Sequence, residues 1–314
     1  MRKEMPYRVL VTGALGFVGR HLIDYLRYQR LDMQILGVDL ERTVPEGVTW
    51  SYKSVDLADQ DTVFDILQEF SPTHLFHLAG LVGPGTLAAH ITANLFITDT
   101  VYNAVARLKT RPKVIQAGSA AAYGWIRPEE LPVVETQTLR PIGPYGMSKA
   151  AQDMLAESYC RGEGMQIIRA RIFNLSGPGQ SRAMVPMTFV HQFREIKNGS
   201  AAKIRTGNLL PTRDFIDIRD VASAFFHLAL KGQPGEAYNI AGEREIAIKN
   251  VIQMLIDHTG LEPEIEVDAD RARASDIMRI YADCSKIKKH TDWHPGISLR
   301  QSLYDMWEQL NADS

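Results

Sequence analysis

Cysteine is nearly absent. The 314-residue chain has two, Cys160 and Cys284. So few, so far apart, exclude a disulfide scaffold and suit a reducing compartment; both read as packing residues. Long apolar runs are missing as well: no stretch reaches the roughly 18 residues that a membrane span needs. The first residues, Met-Arg-Lys-Glu-Met-Pro, do not lead into the apolar core of a signal peptide. The expectation is a cytoplasmic protein away from membranes. Charge of one sign is also lacking. A formal net charge of -2 leaves no electrostatic case for nucleic acid or an acidic membrane, and the three lysines between Lys286 and Lys289 read as a solvated face. There is no internal repeat or low-complexity segment, and no metal ligand is assigned. What remains is 45% hydrophobic and 23% charged, an ordinary globular composition with room for a large core and one or two domains.

The first half alternates strands and helices. Tyr7 to Val11, Ile35 to Val38, Thr73 to Leu78, Val114 to Ala117 and Ile167 to Ile172 read as strands. Several are short continuous apolar runs, as expected when helices cover both faces of a parallel sheet. Between them, Phe17 to Tyr28, Val63 to Phe70, Ile91 to Leu108 and Ala150 to Arg161 read as helices. The pattern predicts an α/β fold, a Rossmann-type doubly wound parallel sheet. After Asn174 the rhythm changes. Met187 to Ile196, Val221 to Leu230 and Ile248 to Thr259 read as helices, Ala202 to Gly207 as extended and Ala237 to Ile240 as a strand. The last helix, Leu299 to Leu310, sets Leu303, Met306, Trp307 and Leu310 at core spacing. Trp293 reads as core. The expected organisation is a nucleotide domain over residues 1–174, to which 215–241 return. A smaller, partly interleaved α/β substrate lobe would span 175–214 and 242–314.

Gly13, Gly16 and Gly19 fall between the first strand and the first helix. The first permits a tight turn, the second lets backbone approach a pyrophosphate, and the third lets helix pack on sheet. The helix N-terminus would then offer free N–H groups to the anion. Phe17 and Val18 open that helix and are placed in the same site. Asp39 closes the second strand about twenty residues on, where a carboxylate bonds ribose hydroxyls. A carboxylate there favours NAD(H), while nearby Arg42 leaves NADP(H) open. Asp56, with Leu57 beside it, is either an adenine contact or the cap of the next helix. His77-Leu-Ala-Gly80 ends a strand at the edge of the expected groove. Its His77 reads as structural, and Leu78, Ala79 and Gly80 would lie against the cofactor. Asn94 supports the site or is a structural residue of its helix.

Tyr145 and Lys149 carry the chemistry. Four residues apart on a helix, they share one face. An ammonium beside a phenol favours the phenolate and lowers the phenol's pKa, so that Tyr145 can move a proton near neutral pH. Ser119 follows a strand whose end is where such sheets place their chemistry. Its hydroxyl can bond a carbonyl oxygen and stabilise the alkoxide.

Together, Thr12-Gly-Ala-Leu-Gly-Phe-Val-Gly19, His77-Leu-Ala-Gly80, Ser119, Tyr145-Gly-Met-Ser-Lys149 and Arg171-Ile-Phe-Asn174 resemble the extended short-chain dehydrogenase/reductase family. The resemblance covers nearly the whole chain. It implies catalysis by Ser119, Tyr145 and Lys149 on a nucleotide-diphosphate sugar, and a homodimer formed through the Ile91 to Leu108 and Ala150 to Arg161 helices. Residues Phe173 to Gln180, Gly207 to Asp220, Gly235 to Gly242 and Thr291 to Pro295 are similar to the branch of GDP-mannose dehydratases and GDP-4-keto-6-deoxymannose reductases. That branch implies substrate contacts from Ala120, Asn174, Val185, Asn208, Arg213 and Arg279. Arg213 could instead pair with Asp214 or Asp217, and one of Arg273 and Arg279 is expected to reach a phosphate. A dehydratase of this pattern places a Glu two residues before the Tyr of Tyr123-Gly124; here the residue is Ala121, preceded by Ala120. The resemblance therefore implies a reductase of a 4-keto-6-deoxyhexose, with GDP-4-keto-6-deoxy-D-mannose to GDP-D-rhamnose as the leading reading. A 4-epimerase with tightly held NAD, and a non-catalytic nucleotide sensor, are the alternatives. The segment from Leu81 to Thr92, with Gly83-Pro-Gly85, is shorter than its counterpart in the reductases, and in the family this loop lines the sugar pocket.

Overall fold

Apolar runs become the inner strands of one parallel sheet in a computed structural model that describes residues 7–29, 31–44, 46–268 and 277–312. Its first six strands are β1 (Tyr7–Thr12), β2 (Met33–Asp39), β3 (Ser51–Ser54), β4 (His74–His77), β5 (Lys113–Ser119) and β6 (Ile167–Ile172). The short strands β7 (Asn174–Ser176), β8 (Lys203–Thr206), β9 (Thr212–Arg213) and β10 (Phe215–Asp217) follow. Then β11 (Ala237–Ile240) returns to the main sheet, ahead of β12 (Ile246–Ala247) and β13 (Glu264–Val267). The seven-stranded order is β11-β6-β5-β4-β1-β2-β3, parallel throughout. The chain reverses its direction of travel across the sheet at β1 and β4, and crevices beyond the carboxyl ends of strands at such a point are where open α/β sheets bind ligands. Every residue of β6 is buried, as a strand covered on both faces requires.

The helices repeat the pattern on a 3.6-residue period. α1 (Phe17–Tyr28) buries Gly19, Leu22, Ile23 and Leu26 along one stripe. α2 (Gln60–Phe70) begins at Asp59, whose carboxylate accepts from the Asp61 and Thr62 amides. The helix cap is therefore Asp59 and not Asp56, which accepts from the Ala58 amide at 2.9 Å. α3 (Leu87–His90) runs through a wider π-helical turn, Ile91–Phe96, into α4 (Ile97–Ala106), so the predicted Ile91 to Leu108 helix is interrupted in its first turns. α5 (Gly143–Glu163) carries Tyr145 and Lys149. After it come α6 (Val185–Lys197), α7 (Ile218–Lys231), α8 (Ile248–Thr259), α9 (Ser285–Thr291) and α10 (Leu299–Ala312). α7 lies on α1, with Tyr25 and Phe226 in ring contact at 5.8 Å.

A separate apolar cluster unites α6, α8 and α10 through residues such as Phe193, Ile252, Leu303 and Trp307. Three two-stranded ladders, β7 with β10, β9 with β12 and β8 with β13, connect this part of the chain. Of the ladder strands, β8 lies within the stretch read as extended, Ala202 to Gly207; β3, the other ladder strands and α9 went unseen in the sequence, being too short for a period to emerge. The lysines read as a solvated face lie on α9, where Lys286 pairs with Glu236 at 2.6 Å and Lys288 pairs with Glu243. Trp293 is buried in the main core, Cys284 is buried and Cys160 half-buried. No helix among the described residues is long and apolar enough to cross a membrane.

His77 shows how the sheet treats polarity. The Thr98 hydroxyl gives its hydrogen to the Asn94 carbonyl, so it accepts from His77 Nε2 at 2.9 Å; Nδ1 then accepts from the Thr12 hydroxyl at 2.9 Å. A neutral imidazole satisfies every partner. Burial, reinforced by the positive charge of Lys149, pushes its pKa down to about 3. A depressed folded-state pKa contributes stability above the unfolded value, and this is lost as pH falls from about 6.5 toward 3. The unfolding free energy should therefore fall by up to about 1.4 kcal/mol for each pH unit lowered across that window on account of this group, as denaturant unfolding at several pH values would show. In His77→Gln the slope should be shallower.

Candidate active site

Each candidate residue stands at the carboxyl end of a strand or at the first turn of the following helix. Gly13 follows β1 at φ +66°, and a Cβ there would stand 2.8 Å from the Ala79 nitrogen. The turns after β1 and β4 can lie this close only because residue 13 has no side chain. A Cβ on Gly19 would collide with the Gly13 carbonyl, so the third glycine sets the seat of α1. The N-cap of α1, Gly16, offers no side-chain cap, which leaves the first amides of the helix for an anion. Asp39 accepts from the Leu15 amide at 3.0 Å and from the Leu40 amide at 2.8 Å, which ties the end of β2 to the glycine loop. Phe17 and Val18 are half-buried, with Phe17 edge-on to His21. Leu78 is half-buried, and its amide meets the Thr12 hydroxyl at 3.2 Å, as does that of Ala79 at 3.3 Å. Leu57 lies in the core with Val55, Val63 and Leu67. Bare glycine cradle, uncapped helix and carboxylate at the end of β2 fit a dinucleotide, with pyrophosphate at Gly13 to Gly19 and ribose at Asp39.

Asn94, in the π-helical turn, is fully buried. Its Oδ1 accepts from the Leu81 amide at 2.8 Å, and its Nδ2 donates to the Leu81 carbonyl at 3.1 Å and to Ser148 Oγ at 2.9 Å. A Cβ on Gly80 would stand 2.5 Å from that Oδ1. Ser148, beside Lys149 on α5, was not singled out from the sequence, and neither was Gln152.

Ser119 closes β5 and is followed by a 3-10 turn, Ala120–Ala122, in which Ala120 and Ala122 are buried. Its Oγ accepts from the Ala121 amide at 3.1 Å, so the hydroxyl hydrogen is left to donate. It bonds the Tyr145 phenol, which favours the phenolate. α5 fits close to the turn because Gly146 faces the Ala121 carbonyl, where a Cβ would lie 2.8 Å away.

The electrostatics of the pair differ from the sequence expectation. Desolvation outweighs the Ser119 hydrogen bond and holds the Tyr145 phenol above its ordinary value, although part of the residue's surface stays exposed. The Lys149 ammonium does not lower it. That group donates to the Ala117 carbonyl at 2.8 Å and to Gln152 Oε1 at 2.6 Å. Burial pulls its own pKa down to about 8, against a smaller upward effect of Asp153. Gln152 in turn donates to Thr98 at 2.8 Å. A continuous polar chain therefore runs from Thr12 through His77, Thr98 and Gln152 to Lys149.

The residues assigned to the sugar nucleotide lie on other elements. Asn174 is exposed at the start of β7, and Val185 is exposed at the first turn of α6. Asn208 holds a turn by accepting from the Leu210 amide at 3.0 Å. Arg213 and Arg279 are brought together, since residues 212 and 279 form a bridge. Arg213 donates to the Thr212 and Ile277 carbonyls at 2.8 and 2.5 Å. The acids offered as its partners are engaged elsewhere: Asp217 pairs with Arg219, and buried Asp214 accepts from the Gly242 and Ala282 amides. Arg279 makes a two-pronged pair with Glu245 at 2.6 and 2.8 Å and holds that carboxyl down to about 2. A phosphate on Arg279 would have to share or displace Glu245. Arg273 lies outside the described residues.

The family model described as GDP-mannose 4,6 dehydratase matches residues 10–306. Over 304 residues the chain is 30% identical to a GDP-6-deoxy-D-mannose reductase of Pseudomonas aeruginosa, covering 95% of each. It is 28% identical to a putative UDP-arabinose 4-epimerase of Arabidopsis thaliana, covering 98% of this chain and 77% of the relative. A solved structure described as RMD from Pseudomonas aeruginosa complexed with NADPH superposes with a TM-score of 0.86 at 28% identity, over 98% of this chain and 100% of that one.

Gly13→Ala should cost at least about 1–2 kcal/mol from the left-handed backbone alone, beyond the contact with Ala79. Denaturant unfolding should show that loss, and titration of NADH fluorescence should show weaker binding.

Proposed function

The chain belongs to the GDP-mannose 4,6-dehydratase family of extended short-chain dehydrogenases/reductases, and from that premise we propose that it reduces the 4-keto group of a nucleotide-linked 4-keto-6-deoxyhexose. It is an NAD(P)-dependent enzyme of nucleotide-sugar modification. The substrate we favour is GDP-4-keto-6-deoxy-D-mannose and the product GDP-D-rhamnose. One observation carries the choice of reduction over dehydration. The turn after Ser119 is three alanines, so no carboxylate is at hand where the dehydratase pattern has its Glu. Elimination of water needs that acid. Reduction needs a hydride, a proton donor and support for an oxyanion.

Bound reduced nicotinamide supplies the hydride to carbon 4. Tyr145 gives its proton to the oxygen. The Ser119 hydroxyl, which bonds the Tyr145 phenol in the structure, turns its hydrogen to the same oxygen and stabilises negative charge developing there. Lys149, tethered by Ala117 and Gln152, would hold the nicotinamide ribose. Gly13, Gly16, Phe17, Val18, Gly19, Asp39, Leu78, Ala79 and Gly80 line the dinucleotide, with NADH favoured by the Asp39 carboxylate. Arg213 takes the diphosphate, since an arginine fork suits phosphate oxygens. Phe96 and Met154 are large apolar residues left exposed on the helices assigned to a homodimer, which supports that assembly.

The likeness to a 4-epimerase keeps a second reading, in which tightly held NAD is reduced and reoxidised in each turnover. Mixing the protein with NADH and GDP-4-keto-6-deoxy-D-mannose should bleach the reduced-nicotinamide absorbance. Tyr145→Phe should lower kcat by about 10²- to 10⁴-fold while NADH still binds. Co-purified NAD with no net NADH consumption would instead favour the epimerase.

A further inference from the structure

His90 is the last residue of α3, at the point where the helix widens into the π-helical turn. It is 1% exposed. Its ring lies against the Tyr145 ring, with centroids 5.7 Å apart and planes at 60°. Its Nε2 faces the Gly85 backbone, where a Cβ would stand 2.9 Å away. Its Nδ1 is buried and has no hydrogen-bond partner among the described residues. Other buried polar groups of the site are satisfied: His77 by two threonines, Asn94 by Leu81 and Ser148, Lys149 by Ala117 and Gln152.

A buried polar atom without a partner costs stability, and a phenyl ring would fill the same space without that cost. Gln116 Nε2, Arg169 Nε and Gln180 Oε1 are likewise without a partner among the described residues; what sets His90 apart is its place against the Tyr145 ring, and a buried unsatisfied group calls for an explanation. The neighbouring ring explains what the exception can do. When Tyr145 gives up its proton it becomes an anion in an enclosed setting. An N–H dipole that is unpaired beforehand and faces charge only as it forms stabilises the transition state more than the ground state.

We propose that His90 is a positioning residue for the proton donor: its imidazole fixes the Tyr145 ring, and Nδ1, carrying the ring proton, stabilises the phenolate that Tyr145 becomes. This rests on the reading of Tyr145 as proton donor. In the step, hydride adds to carbon 4, the carbonyl π electrons move to oxygen, and that oxygen takes the Tyr145 proton. The phenolate left behind regains a proton from water before the next turnover. Tyr145 from α5 and the Gly85 backbone from the preceding loop lie against His90; Lys149, one turn further along α5, is held by Ala117 and Gln152.

His90→Phe keeps the ring and removes the nitrogens. With NADH and GDP-4-keto-6-deoxy-D-mannose it should lower kcat about 10- to 100-fold, leave KM for the sugar within about threefold, and leave the unfolding midpoint unchanged or higher. His90→Asn places an amide N–H near the position of Nδ1 and should restore most of the loss. A fully active His90→Phe overturns the proposal, as does a parallel fall of kcat, sugar affinity and stability without rescue by Asn. If His90→Phe does not fold, His90→Asn and His90→Asp decide, because only Asn can donate; equal activity overturns it. A second readout needs no sugar. The phenolate absorbance of Tyr145, taken as the difference from a Tyr145→Phe counterpart, should titrate at higher pH in His90→Phe than in the native protein. If native protein fails to oxidise NADH, the reductase reading falls and this titration alone judges His90; an unmoved titration overturns the proposal.

Discussion

One buried amide holds the candidate site together. Asn94 bonds both the N–H and the C=O of Leu81 and reaches across to Ser148. It thereby joins the loop after β4 to the helix that carries Tyr145 and Lys149. Asn94 lies within the π turn over Ile91–Phe96, where it is the buried residue. Such turns are rare and are frequent at functional sites. His90, the residue just before this turn, packs its ring against that of Tyr145. Ser119 arrives independently, from the end of β5, and the fit between the two parts depends on Gly146 passing the Ala121 carbonyl.

Burial governs the charges that this clamp encloses. Desolvation pushes Tyr145 up and Lys149 down. Both shifts favour the neutral forms, so the pair is poised less by mutual attraction than by dehydration. Burial gives weight to the polar contacts that remain: the Ser119 hydroxyl on the phenol, and the Ala117 carbonyl and Gln152 amide on the ammonium. The polar chain from Thr12 to Lys149 fixes the ammonium from below, and neutral His77 within it adds no competing charge. The diphosphate end obeys a different rule. Arg279 is already matched to Glu245 near the surface, where an ion pair adds little stability and exchanges readily.

The sequence made the fold legible where one residue type answered one physical demand. Gly13 is needed for a left-handed turn packed on Ala79, and the strand before it and helix after it are marked by periodicity. β6 and β11 were read as strands although β6 carries Arg169 and Arg171 and β11 carries Asn239. The π turn was not legible, because a hydrophobic period of 3.6 tolerates one extra residue without a visible break. Nor were the three-residue and two-residue ladders, whose pairing depends on partners far along the chain. Asp59 replaced Asp56 as a cap because two acids three residues apart read alike until the helix start is known. Lys149 was recognised, but its partners Ala117 and Gln152 were not. A spacing of four shows that two side chains share a face, not which neighbour the ammonium prefers. His90 gave no signal at all, since its meaning lies in a nitrogen without a partner and a ring packed against Tyr145.

The central claim is a net hydride transfer to carbon 4 with the proton supplied at Tyr145. Nicotinamide deuterated on its transferable position tests it directly. With GDP-4-keto-6-deoxy-D-mannose, mass spectrometry of the sugar nucleotide should find one deuterium at carbon 4 for each nicotinamide oxidised. A sugar nucleotide that changes configuration without acquiring deuterium, or NADH that stays unconsumed, would contradict the account.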